Sequence, residues 1–84
     1  MVKVAFSPER NEVWSEWGTL RRTGGRDGLA GYVLEDRHGK VIATIHAPAG
    51  MSLAEHVGRR VSVFGRMTTS KGDASFEASH VAWE

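Results

Sequence analysis

LAGYVLEDRHGKVIATIH, residues 29–46, holds two short apolar runs around a turn. Residues 29–36 and 40–46 are each too short for a stable helix and are rich in residues that fit a pleated sheet, so both read as strands. Val41, Ile42 and Ile45 make the second run the firmer of the two. Asp36-Arg37-His38-Gly39 joins them as a tight hairpin turn, with Gly39 in the left-handed position. Directly after the pair, Ala47-Pro48-Ala49-Gly50 breaks the pattern. Ser52 then reads as a helix N-cap, with Glu55 three residues later completing a capping box. The spacing predicts a short helix over 53–57, closed by Gly58.

Outward from this segment the chain keeps a β rhythm, with ten glycines spread through 84 residues. Residues 12–23 form a first strand interrupted by Gly18, and a glycine within a strand marks a bend or a close backbone approach. Gly24-Gly25-Arg26-Asp27-Gly28 reads as a loop. Downstream, residues 59–68 form a fourth strand. Val61 and Val63 lie on one face, Ser62, Phe64 and Arg66 on the other, and Gly65 offers a second bend. Residues 69–73 turn the chain into a fifth strand over 74–83. Residues 1–11 are set off by Pro8, either as an edge strand through Val2, Val4 and Phe6 or as loose chain, and the folded domain covers 12–84.

Five strands with one short helix between the third and fourth is the element order of an OB-like Greek-key barrel. An SH3-like barrel also has five strands, but it carries only a 3-10 turn, between its last two. The capping box and Gly58 favour a true helical turn and hence the OB-like order.

Composition narrows the function classes. A single 84-residue domain buries a thin core and leaves little room for a deep enclosed pocket. With no cysteine, disulfide scaffolds, zinc ribbons and thiol nucleophiles are excluded. No apolar run reaches membrane-spanning length, and the first residues are too polar for a signal peptide. Net charge is +1 with a pI near 8.3. The positive charge collects in two blocks: Arg21, Arg22 and Arg26 against Asp27, and Arg59, Arg60, Arg66 and Lys71 with no acid among them.

Gly31-Tyr-Val-Leu-Glu-Asp-Arg-His-Gly39 resembles the strand-turn-strand pattern Y-V-L-x-D-x-x-G of OB-fold domains. Residues 48–53 (PAGMSL), 56–61 (HVGRRV) and 63–65 (VFG) resemble their helix and fourth strand. In this stretch the chain is similar to the OB-like domain that follows an SH3-like module in a group of bacterial envelope-associated proteins. That group reads P-A-P-G-x-N-L-x-x-Y-V-G-R-R-V-x-V-x-G; here Ser52 stands for the asparagine and His56 for the tyrosine. The resemblance covers about residues 17–83 and implies the fold. As a role it implies a protein-interaction or structural module.

Catalytic chemistry has no clear carrier. Glu35 and Asp36 are adjacent on a strand end, so their carboxylates point apart. His38, His46, His56 and His80 show no paired ligand spacing and no cysteine helps them, so neither a metal nor another cofactor is expected. The Gly24–Gly28 loop is followed by neither a lysine-serine pair nor a helix start, so it does not read as a phosphate cradle. The stronger pattern is basic residues beside aromatics. OB-folds bind oligonucleotides on the face of strands two and three, between the loops after strands one and four. Arg21, Arg22 and Arg26 flank the first loop, Arg66 and Lys71 the last, and Tyr32 and Phe64 are the candidate stacking surfaces. Trp14, Trp17 and Trp83 are expected mainly to pack the barrel.

These residues predict a non-enzymatic binding module with weak, sequence-independent affinity for single-stranded nucleic acid. The alternatives are a protein-interaction or structural module, or an excised or engineered barrel that retains no ligand. Two observations separate the first two. Nucleic-acid binding needs the basic blocks to converge around an exposed aromatic, whereas protein interaction needs an exposed apolar patch or an unpaired barrel edge.

Overall fold

The computed structural model describes residues 12–26 and 29–84, so the expected N-terminal segment 1–11 and the tip of the glycine loop, Asp27 and Gly28, lie outside the described residues. The strands are β1 (Glu12–Trp14), β2 (Gly18–Arg26), β3 (Leu29–Glu35), β4 (Val41–Ala47), β5 (Arg60–Ser70) and β6 (Asp73–Trp83). They form one sheet in the order β1-β5-β2-β3-β4-β6, and β5 pairs again with β6. That second pairing closes β2 to β6 into a ring, a small all-β barrel. All neighbours are antiparallel except β4 and β6, which run parallel over Thr44–Ser75, Ile45–Phe76 and His46–Glu77.

The expected single first strand is divided. β1 pairs with β5 through Trp14 and Phe64, residues 15–17 leave the ladder, and β2 returns to β5 at Gly18–Val61 while also pairing with β3. Ser15 bridges the break: its Oγ accepts a hydrogen bond from the Val63 N–H at 2.9 Å, and the Ser62 hydroxyl donates to its carbonyl at 2.6 Å. The two mid-strand glycines sit at close approaches. A Cβ at Gly18 would lie 3.0 Å from the Glu35 carbonyl oxygen. One at Gly65 would overlap the Glu77 carbonyl, beside the irregularity in the β5–β6 register.

The helix expected over 53–57 is instead a 3-10 turn, Ala54–His56. Leu53 occupies the cap position and makes no side-chain cap bond, so Ser52 and Glu55 do not form the capping box. Packing decides this. Leu53 is fully buried in the core, and Gly58 N–H donates to the Leu20 carbonyl at 2.8 Å. Those two anchors leave room for only one tight turn between them. It still lies between the third and fourth ring strands. Gly58 has the expected left-handed conformation (φ 87°), as does Gly39 (φ 82°). Residues 24–26, read as loop, extend β2.

Alternation along the strands builds the core. Leu20, Tyr32, Leu34, Ile45, Val61, Val63 and Phe76 point inward and are buried, with Leu53 at the 3-10 turn. An interior this narrow is filled by aliphatic side chains and single rings, and it excludes the indoles. Trp14, Trp17 and Trp83, expected mainly as packing residues, are 52%, 40% and 55% exposed.

Candidate functional site

Among the described residues, the expected nucleic-acid residues fall in different settings. Arg21 and Arg22 are adjacent on β2 and project to opposite faces. The Arg21 Nε lies 3.3 Å from the Glu35 carboxylate. Only the backbone of Arg26, paired with Leu29, is described. Tyr32 is 3% exposed and belongs to the core, so it offers no ring face to a base. The parity that carries Leu34 inward carries Tyr32 with it.

Phe64 is half-buried in a cross-strand aromatic row. Its ring centre is 5.2 Å from Trp14 on β1 and 5.8 Å from His80 on β6. Arg66 is exposed and shares the outward parity of Phe64, but its cross-strand neighbours are Glu12 on one side and Glu77 on the other. Two carboxylates at the neighbouring register positions lower the positive potential that a phosphate would meet there. Lys71 sits in the β5–β6 turn with φ 53° and is followed by Gly72 with φ 84°. Among the remaining cations, Arg60 lies 3.8 Å from the Glu84 carboxylate. Among the described residues, no three His, Asp or Glu side chains gather as metal ligands.

A concavity lies elsewhere, at the seam of the two parallel strands. β4 and β6 pair only from Thr44 and Ser75 onward. Before that point they splay, and a groove of about 770 Å³ opens between them. Trp14, Ser15 and Glu16 form one wall, and residues 40–44 form the other. Half-buried Met67 makes the floor over the buried Leu34 and Phe76, and residues 72–74 close one end. The groove mixes apolar and polar lining, and Val41 is 50% exposed in it. Its ionisable side chains are Glu16, Asp73 and Lys40.

Sequence reading missed this site because its walls come from separated stretches that only the barrel assembles. One signal was present. Trp14 alternates in phase with Glu12 and Glu16, which puts the indole on the charged, outward side. A second aromatic contact, Trp83 over the buried His56 at 4.7 Å, covers the 3-10 turn.

Among the described residues, one ionisable group is shifted from its ordinary value. The Asp36 carboxylate accepts the N–H groups of Lys40 (2.9 Å) and His38 (2.8 Å) across the β3–β4 turn. Those bonds hold it below its ordinary value of 3.8. This is a structural role, since Asp36 organises the turn. No helix among the described residues is long and apolar enough to cross a membrane.

No protein-family model, no curated protein and no solved structure matches the chain.

Proposed function

We propose that the chain is an OB-like barrel acting as a non-enzymatic protein-interaction module, and that its ligand is an extended polypeptide segment held in the seam groove. The strand order supports the barrel type: an antiparallel three-strand meander, a turn, and a final hairpin whose last strand returns parallel to the third. The observation that carries the functional reading is the splayed seam. There a groove carrying the partly exposed Val41, Ile42 and Met67 runs beside a length of β4 that is paired on one side only. An unsaturated strand edge next to an apolar trough is what strand addition uses: main-chain bonds give affinity and alternate side chains fill the trough. An envelope context rests on the motif resemblance alone.

Single-stranded nucleic acid is the competing reading, and it enters the test. A random linear peptide library is panned against the whole immobilised chain, and a labelled oligo-dT is titrated at two salt concentrations. The expected result is enriched peptides that bind in solution and lose binding on Val41→Arg, with an unchanged melting temperature. Peptides indifferent to Val41→Arg overturn the reading. So does oligo-dT binding that weakens with salt and ignores that substitution, because it would point to phosphate contacts away from the groove.

A further inference from the structure

Resting on the peptide-groove reading, we infer that the segment taken by the groove carries a lysine or arginine, whose aliphatic stem lies on the apolar floor and whose head meets Glu16 and Asp73. Charge and polarity in the groove point this way. Two carboxylates line it against one ammonium, that of Lys40. Among the described residues, neither Glu16 nor Asp73 lies within ion-pair distance of a cation. The exposed Trp14 indole stands beside Glu16 in the same wall, and aromatic faces attract cations through their quadrupole. The half-buried Met67 at the floor, with Val41 and Ile42 in the wall, suits a methylene chain and offers no partner to a buried charge. A side chain that is apolar along its stem and cationic at its tip satisfies both requirements, and only lysine and arginine are built that way. An acidic side chain in the same position would face two like charges.

The test uses the full chain and three fluorescein-labelled probes: peptides alternating arginine with valine, serine with valine, and glutamate with valine. The arginine peptide is expected to bind about fivefold or more tightly than the serine peptide, a size that two exposed ion pairs and one cation–π contact permit. The glutamate peptide should bind most weakly. In the double variant Glu16→Gln, Asp73→Asn the ratio of arginine-peptide to serine-peptide affinity should fall to about one, and the deficit of the glutamate peptide should shrink with it. Equal binding of the arginine and serine peptides, both lost on Val41→Arg, overturns the cation inference and leaves the groove reading standing. An arginine preference that survives the double variant also overturns it. Binding of none of the probes, together with a library that yields no peptide sensitive to Val41→Arg, overturns both.

Discussion

Gly65 and Gly18 both sit inside strands, yet their surroundings rank them differently. At Gly65 a methyl group would overlap the backbone carbonyl of Glu77, and β6 cannot yield without breaking its ladder. At Gly18 the nearest atoms are the Glu35 oxygen at 3.0 Å, the Ile42 Cδ1 at 3.2 Å and the Leu34 Cβ at 3.3 Å. A flexible side chain among them can move aside. Gly65→Ala should therefore destabilise by about 3 kcal/mol or prevent folding, and Gly18→Ala by about 1 kcal/mol. Thermal melts check the order, and a reversed order would contradict the close approach at Gly65. Asp36 supports a prediction in pH. Its folded pKa is depressed, so its contribution to stability is full above the ordinary carboxylate value of 3.8 and is lost as pH falls through the lowered value. Asp36→Ala should be less stable than wild type at neutral pH, and the gap should close as pH drops through that range. Denaturant midpoints measured from neutral pH to strong acid give the comparison.

At the scale of elements, the 3-10 turn is held by what it buries rather than by its caps. Ser52 and Glu55 are both exposed, whereas Leu53 fills the core and His56 lies beneath Trp83. Leu53→Ala should cost about 2–5 kcal/mol, the range for emptying a buried leucine site, while Ser52→Ala should change little. A large loss on Ser52→Ala would mean that a cap exists in solution after all. Arg59 is exposed, and its backbone, not its side chain, ties the turn to β2 through the Leu20 N–H at 3.0 Å. A three-residue turn has little dipole for an arginine side chain to complement. The β5–β6 hairpin turns on Lys71 and Gly72, both with positive φ, the twist a two-residue hairpin loop requires. Lys71→Gly should be tolerated, and Lys71→Val should lower the melting temperature, because a β-branched residue resists that conformation.

For the whole molecule, closure of the ring determines which surfaces are available. β5 is saturated on both edges where it meets β1, β2 and β6, while β4 before Thr44 is paired only with β3. The Ser15–Ser62 suture holds β1 against β5 and so fixes the wall that carries Trp14. Ser62→Ala would leave the Ser15 carbonyl without its 2.6 Å donor. The expected cost is about 1 kcal/mol in stability, with weaker peptide binding at the groove, read from melts and titrations of the same variant.

Local physics was enough for the alternation that buries Leu20, Leu34, Ile45, Val61 and Val63, the left-handed glycines of the turns, and the element order of a small barrel. Each depends on neighbours a few residues away, so each was legible in the chain. The site was not. Whether Tyr32 faces a ligand or the core depends on which side of the sheet the ring closes upon. Whether Arg66 is a free cation depends on Glu12 and Glu77, brought beside it by two different strand pairings. Of the three exposed indoles, only Trp14 carried its outward placement in its own strand parity, in phase with Glu12 and Glu16. The groove exists because two strands far apart in sequence run parallel for three residue pairs and are splayed before them. Ring closure and strand splay are long-range geometry, so tertiary structure alone decided where the groove opens.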